Sequence, residues 1–307
     1  MEKIYDLIII GSGPAGLAAG IYASRADLNF IVIEKNPVSG GQIIHTYEVD
    51  TYPGVPGISG FELADRFRKH CDNQGVDFVT GDVQAFNVKD TIKTITLDNG
   101  DSYKAKTIII STGAVYKKLG VKGEEELSGM GVSYCATCDG AFFRNKDVAV
   151  VGGGDVAVED AIFLARLCRK VYVIHRRDEL RAAKSYQQKL KSLENVEFLW
   201  DSEVEEIHGQ ETVEAATISN VKTKEKKELK IEGIFIAIGN MPSSDVYKEL
   251  VETDQNGYII AGEDCETNIE GVFAAGDIRA KDLRQIITAA ADGANAITAV
   301  EKYLNKN

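Results

Sequence analysis

Two glycine-rich turns constrain this chain more than any other feature: Gly11-Ser12-Gly13-Pro14-Ala15-Gly16 and Gly152-Gly153-Gly154-Asp155-Val156-Ala157. Each follows a short apolar run, Tyr5–Ile10 in one case and Asp147–Val151 in the other, and each leads into a stretch of small residues. A strand that turns at once into a helix packed against it leaves no space for side chains at the turn, and glycine meets that demand. After the first turn, Leu17–Ala26 reads as a helix, with Pro14 suited to its first turn, and Phe30–Glu34 as the next strand. After the second, Ala157, Ala161, Leu164 and Ala165 fall on one helical face, and Val171–Ile174 supplies the following strand. The predicted fold class is α/β, with two Rossmann-like, three-layer domains.

The rest of the sequence suggests one module used twice. Residues 83–97 and 213–231 read as strand-rich excursions, with a turn at Asp98-Asn99-Gly100 and a solvated, charged hairpin at Lys222–Lys230. A strand ending in glycine follows each excursion, Thr107–Gly113 and Gly233–Gly239. Gly271–Ala275 reads as a further strand leading to Gly276-Asp277, and a long helix runs from about Arg284 to Leu304. A chain of 307 residues holds two domains with well-buried cores. Its net charge of −12 argues against a broad nucleic-acid-binding surface. Apolar runs such as Leu7–Ile10 are too short to span a membrane. Gly11 and Gly13 interrupt any secretory core, so a cytoplasmic protein is expected.

The chemistry follows from what surrounds the turns. Gly11 makes the tight turn, Gly13 lets a pyrophosphate approach the backbone, and Gly16 lets the helix pack on the strand. Helix N-terminal N–H groups then hold the phosphates. Glu34 ends the second strand, 18 residues after Gly16, where a carboxylate takes an adenosine ribose hydroxyl. The corresponding strand of the second unit runs instead into His175-Arg176-Arg177-Asp178. Arg176, with Arg181 as a further positive contact, would neutralise a ribose 2′-phosphate that Glu34 would repel. The bland alternative is a solvated basic helix start. Two different nucleotides are expected, the second being NADPH.

Between the turns lies Cys135-Ala136-Thr137-Cys138-Asp139. Half a zinc site would need two more ligands, and Cys71, Cys168, Cys265 and the 4 histidines form no such set. Two buried structural cysteines are a second reading. A dithiol–disulfide couple is the third, and the flanking nucleotide turns favour it, because thiols at this spacing close a small ring with little rearrangement. Asp139 adds a carboxylate that could serve as general acid or base, or could merely form a turn with Gly140. Cys71, Cys168 and Cys265 read as structural.

In this order the motifs resemble the low-molecular-weight, bacterial-type thioredoxin reductases over essentially the whole chain. The resemblance rests on GSGPAGLAA at 11–19, GGQ at 40–42, EVDTYPG at 48–54, STGA at 111–114 and CATCDGAFF at 135–143. It continues with GGGDVAVE at 152–159, HRRDELRA at 175–182, GVFAAGD at 271–277 and RQIITAAADG at 284–293. It implies FAD at Gly11, Gly13, Pro14, Ala15 and Gly16, with Glu34 on the ribose and Gly41, Gln42, Asp50 and Val83 in the same site. Asp277 would hold a ribityl hydroxyl, and Arg284, Gln285 and Ile286 would reach the isoalloxazine. NADPH would lie on Gly152, Gly154, Asp155, Val156 and Ala157, with His175, Arg176, Arg177 and Arg181.

The resemblance also implies an FAD-binding domain of residues 1–116 and 246–307. An NADPH-binding domain, residues 117–245, would be inserted into it and carry the dithiol. The implied reaction is thioredoxin-disulfide reduction. Hydride passes from NADPH to FAD, electrons go to the Cys135–Cys138 disulfide, and dithiol–disulfide exchange delivers them to thioredoxin. Asp139 acts as acid/base, Cys135 attacks the partner, Cys138 lies nearer the flavin, and the domains rotate between half-reactions. Members of the family form homodimers. Three residues depart from the family pattern: Val156 where Ser or Thr is usual, Asp50 where Asn is usual, and Met130 where a basic residue is frequent.

Three other readings compete. An alkyl hydroperoxide reductase flavoprotein would carry an N-terminal thioredoxin-like extension, which is expected to be absent here. A ferredoxin-fed reductase would have no need of His175–Arg177. A non-catalytic flavin sensor would not need an intact dithiol beside two nucleotide turns.

Overall fold

Parallel strands covered on both faces need apolar residues at successive positions. Leu7–Ile10 supplies them, each at most 3% exposed. The computed structural model describes residues 3–306 apart from Tyr47, so Met1, Glu2, Tyr47 and Asn307 lie outside the described residues. In it the strand Ile4–Ile10 runs between Phe30–Glu34 and Ser102–Ile110, parallel to both, and Phe78–Thr80 extends the sheet beyond Phe30–Glu34. Ser102–Ile110 serves two kinds of pairing. Residues 102–105 pair antiparallel with Ile92–Leu97, which pairs in turn with Val83–Lys89. Residues 108–110 pair parallel with Val272–Ala274. Because side chains alternate along a strand, Ile8, Ile10, Ile31, Ile33, Ile108 and Ile110 form one core, and Leu7, Ile9, Val32 and Ile109 belong to the other. The second core is covered by the helices Pro14–Arg25 and Ile286–Leu304. Their small residues bring the backbones close: a β-carbon on Gly293 would lie 2.2 Å from the Ala15 carbonyl oxygen.

The chain divides into two compact units, one of residues up to Val115 together with those from Met241, the other Tyr116–Asn240. The second unit repeats the plan of the first. Val196–Leu199, Lys170–Ile174, Asp147–Val151, Gly233–Ile236 and Val132–Ser133 form a five-stranded parallel sheet in that order. Ser202–His208, Ala215–Asn220 and Lys226–Lys230 form an antiparallel sheet, the counterpart of the antiparallel strands of residues 83–105. The lysine-rich hairpin at 222–230 is solvated apart from the buried Leu229. The fold class is therefore the α/β, twice-used architecture expected. The helices Gly60–Asn73 and Lys184–Lys191 and the edge strands Phe78–Thr80 and Val196–Leu199 go beyond the elements expected from the sequence.

A buried charge network ties the C-terminal helix to the loop after Val272–Ala274. The Asp292 carboxylate accepts from the Gly276 N–H at 2.9 Å, Arg279 Nε at 2.8 Å, Arg279 Nη2 at 2.9 Å and Lys281 Nζ at 2.8 Å. All three charged side chains are less than 10% exposed. Burial pushes the Asp292 carboxyl up, but the hydrogen bonds from Arg279 and Lys281 outweigh it and hold the group below the usual carboxylate range. A pKa depressed by folding contributes stability that is complete above the unfolded carboxylate value, about 3.9, and is lost as pH falls through the folded value. Removing one partner of such a cluster costs ~3–5 kcal/mol. Asp292→Asn should accordingly lower the unfolding free energy from urea titration at pH 7 by that order, and the gap to the parent should narrow as the pH falls below 4. Lys222→Ala removes only pairs made by an exposed ammonium, with Asp178 and Asp201, and should leave that free energy unmoved.

Candidate active site

The dithiol segment starts at the edge of the second unit's parallel sheet. Val132–Ser133 pairs with Gly233–Ile236, and the chain then enters the short helix Ala136–Asp139 and a 3-10 turn at Gly140–Phe143. Cys135 and Cys138 form a disulfide, with Cα atoms 5.3 Å apart. The Cys135 carbonyl accepts the N–H groups of Cys138 and Asp139 at 3.2 and 3.1 Å, which winds the pair into one turn. A β-carbon on Gly140 would lie 2.9 Å from the Phe163 ring and 3.0 Å from Leu164, so a glycine lets this turn sit on the helix Asp155–Ala165. Burial pushes the Asp139 carboxyl above its ordinary value. The Ser133 hydroxyl, donating to Asp139 Oδ2 at 2.6 Å, acts the other way. The remaining cysteines are buried, and burial pushes their thiols up to about 12 for Cys71 and Cys265 and about 11 for Cys168. They stay protonated and unreactive at neutral pH, leaving the Cys135–Cys138 pair as the redox-competent sulfur.

The first glycine turn separates its glycines by role. A β-carbon on Gly11 would lie 2.5 Å from the Ser111 carbonyl oxygen, and φ there is +98°. One on Gly16 would lie 1.9 Å from the Gly11 carbonyl oxygen. Gly13 has an ordinary φ of −72° and nothing within 4 Å of its β-position. The fold itself demands Gly11 and Gly16, whereas the space at Gly13 is a cradle that a β-carbon would fill. Gly41 comes up beside it, its β-position 3.4 Å from Gly13 Cα, and Gln42 follows in the 3-10 turn Gly41–His45. Glu34 Oε2 accepts the Ser12 N–H and hydroxyl, both at 2.7 Å, and Oε1 accepts the Asn36 N–H at 2.8 Å. Its carboxylate therefore also closes the turn.

The loop at Gly276-Asp277 reaches the same turn, with the Gly276 β-position 2.9 Å from Ala15 Cβ. Asp277 Oδ1 and Arg284 Nε are buried without a hydrogen-bond partner among the described residues. The Arg284 guanidinium lies over the Tyr258 ring at 4.0 Å. Each unmade buried bond costs roughly 1–3 kcal/mol, which a polar ligand would recover. An open glycine turn, a strand-end carboxylate and unpaired polar atoms at the adjoining loop fit FAD. The other expected contacts lie differently. Gln285 caps the helix Ile286–Leu304 reciprocally with Thr288. Ile286 packs with Val49, Ile58 and Leu63. Asp50 Oδ1 accepts the Gly57 N–H at 3.0 Å, and Val83 is buried in the sheet core.

The second turn repeats the division. A β-carbon on Gly152 would lie 2.4 Å from the Ala237 carbonyl oxygen, and one on Gly153 would strike the His175 ring at 2.3–2.5 Å, but Gly154 has nothing within 4 Å. Arg176, Arg177 and Arg181 are exposed, and the arginine loop is strapped to the turn. The Arg181 N–H donates to the Gly153 carbonyl at 2.7 Å, and the Ala183 N–H donates to Asp155 Oδ1 at 2.8 Å. Asp155 thus holds the loop, His175 lies beneath the turn with Nε2 unpartnered among the described residues, Ala157 is buried, and Val156 is 56% exposed. Burial and the charges of Arg181, Arg177 and Arg176 push the His175 pKa down, so the ring is neutral at pH 7. Three exposed guanidinium groups beside an open glycine turn fit a nucleotide with a 2′-phosphate, NADPH.

Some residues at the site gave no signal in the sequence. Ser133 is one. Glu124 is another: only 1% exposed, it accepts the Tyr134 hydroxyl and the N–H groups of Leu119 and Gly120. Asp160, on the second fingerprint helix, is pushed up to about 7 by burial and by Glu159. Only burial and contacts between distant residues mark them. The two kinds of glycine can be told apart by substitution. Gly16→Ala should fail to fold or should unfold far earlier. Gly13→Ala should keep the FAD-free parent's unfolding midpoint but retain FAD at least about tenfold less well, read by flavin fluorescence on dilution.

Comparison with known proteins follows this geometry. Residues 5–293 match the family described as pyridine nucleotide-disulphide oxidoreductase. The thioredoxin reductase of Peptoclostridium acidaminophilum is 49% identical over 100% of this chain and 99% of its own length, and that of Bacillus subtilis is 45% identical over 99% and 96%. Among solved structures, thioredoxin reductase from Streptococcus pyogenes superposes with a TM-score of 0.95 at 45% identity, covering 100% of both chains. That from Giardia duodenalis gives 0.94 at 35% identity, covering 99% of this chain and 100% of its own. By sequence over its full length and by fold, the chain belongs to the pyridine nucleotide-disulphide oxidoreductases and, within them, to the thioredoxin reductases.

Proposed function

We propose that this chain reduces the disulfide of thioredoxin with electrons from NADPH, through FAD and the Cys135–Cys138 pair. The observation that carries this reading is the disulfide beside the buried carboxyl of Asp139, in the unit whose glycine turn carries three exposed arginines. FAD, when bound, supplies the two-electron relay between the nicotinamide and the disulfide. Gly13 would admit its pyrophosphate, Glu34 would take its ribose, and Asp277 and Arg284 would take the polar groups of its other half. Gly154 and the helix behind it admit the pyrophosphate of NADPH, while Arg176, Arg177 and Arg181 bind the 2′-phosphate. The two units reorient between the half-reactions.

Once the pair is reduced, the Cys135 thiolate attacks one sulfur of the thioredoxin disulfide. A mixed disulfide forms, and the other thioredoxin sulfur leaves as a thiolate. Asp139, having taken the proton of the Cys135 thiol to free that thiolate, returns it to the leaving thioredoxin thiolate. The Cys138 thiolate then attacks the Cys135 sulfur, restoring the Cys135–Cys138 disulfide and releasing the second thioredoxin thiolate. Two electrons pass to the partner. Thioredoxin lies near about −270 mV, so the pair must be of similar or lower potential. Among the described residues no helix is long and apolar enough to cross a membrane. We place the enzyme in the cytoplasm as a homodimer, to be checked by light scattering of the FAD-loaded protein.

Two further expectations follow. Arg176→Ala should raise the KM for NADPH about ten- to a hundredfold, one charge-assisted phosphate contact, and leave the KM for NADH almost unchanged. An equal loss for both nucleotides would remove the 2′-phosphate assignment. Cys135→Ser and Cys138→Ser should each abolish thioredoxin reduction while NADPH still bleaches the flavin. Full turnover in either variant would refute the dithiol route.

A further inference from the structure

We propose that Ser133 is the positioning residue that keeps Asp139 able to take up and give back a proton beside the dithiol. The inference rests on the acid/base reading of Asp139. Ser133 is 5% exposed and belongs to the edge strand that pairs with Gly233–Ile236, so its backbone is fixed by the sheet. Its hydroxyl touches three groups of the dithiol turn. The Cys135 N–H donates to Ser133 Oγ at 3.1 Å, Asp139 Oδ2 accepts from it at 2.6 Å, and the Cys135 carbonyl lies 3.4 Å away. One hydroxyl therefore joins the backbone of one redox cysteine to the carboxyl that follows the other.

The hydroxyl carries a single proton, and the geometry offers it two destinations. With Asp139 ionised, the O–H donates to Oδ2, and the buried charge has a donor. With Asp139 protonated, the carboxyl donates to Ser133 Oγ, and the O–H turns to the Cys135 carbonyl. Neither form of the buried carboxyl is left unsatisfied, which is what a group passing a proton back and forth requires. Alanine would strip the ionised form of its side-chain donor, so Asp139 would hold its proton to higher pH.

With the pair oxidised, no charged side chain among the described residues competes for this role. Burial and the Ser133 hydroxyl are the influences on Asp139. The paired strand Gly233–Ile236 is apolar, as is the 3-10 turn Gly140–Phe143, and Gly140 faces Phe163 and Leu164 of the helix and Leu167 just beyond its end. Asp160 lies one turn before Leu164 on that helix, its own carboxyl pushed up to about 7 by burial and by Glu159.

The test compares FAD-loaded parent, Ser133→Ala, Ser133→Thr and Asp139→Asn. Each is reduced by one equivalent of NADPH and mixed rapidly with oxidised thioredoxin across the pH range. Flavin bleaching by NADPH reports that each variant is folded and loaded. In Ser133→Ala the acid limb of the exchange rate should move up by about one pH unit, the loss of one hydrogen bond to a charged group, and the rate on that limb should fall about tenfold. The carboxylic C=O infrared band that Asp139→Asn removes should titrate with the same upward displacement. Ser133→Thr, which keeps the hydroxyl, should restore both. If Asp139→Asn slows exchange while Ser133→Ala superimposes on the parent, Ser133 has no such role and the inference is overturned. If Asp139→Asn is itself unimpaired, the acid/base reading beneath it fails instead. Should Ser133→Ala not bleach normally, Ser133→Gly removes the hydroxyl without adding a methyl, and the same displacement is required of it.

Discussion

A β-carbon on residue 16 would stand 1.9 Å from the carbonyl oxygen of residue 11, and one on residue 152 would stand 2.4 Å from that of residue 237. Both units depend on this missing atom. It lets a helix start directly against the strand it leaves, which aims the first N–H groups of that helix at whatever lies before the turn. The same clearance recurs on the neighbouring strands. The first turn is closed by Ser111 at the end of Ser102–Ile110, and the second by Ala237 at the end of Gly233–Ile236. These are the strand ends that the sequence repeats after each excursion. The repeat is thus a packing requirement: each turn needs a bare backbone carbonyl on the adjacent strand.

Charge then makes two similar cradles different. The first ends its second strand in Glu34, already braced by Ser12 and Asn36, so a carboxylate is fixed at the ribose position. The second ends in an arginine loop bonded to the turn through Arg181 and Asp155. A 2′-phosphate is repelled by one arrangement and drawn to the other. The Asp292 cluster adds a further constraint in the first unit. It fixes the Gly276 loop to the C-terminal helix, so Asp277 on one and Gln285 at the start of the other are set by a single buried carboxylate.

The fold was legible because its signals are local. An apolar run, a glycine turn and a helical face occupy consecutive residues, and Cys135 and Cys138 announce themselves by spacing. What stayed hidden depends on residues far apart in sequence. Asp155 reads as part of a nucleotide turn, yet its carboxylate meets Ala183, 28 positions on. Arg279 and Lys281 look like loop residues until the helix brings Asp292 to them. Glu34 was placed correctly at a strand end, but its bonds to Ser12 follow from the curvature of the turn. Ser133 lies only six positions from Asp139, yet no pattern marks it, because the contact needs the sheet edge and the short helix in place first.

The central claim is that electrons from NADPH arrive at one pair of sulfurs. The direct measurement is anaerobic addition of NADPH to the FAD-loaded protein, followed by thiol alkylation without denaturation and peptide mass spectrometry. The account predicts that Cys135 and Cys138 become labelled only after NADPH, and far less after NADH, while Cys71, Cys168 and Cys265 stay unlabelled throughout. A flavin that bleaches while Cys135 and Cys138 remain joined and unlabelled would contradict it.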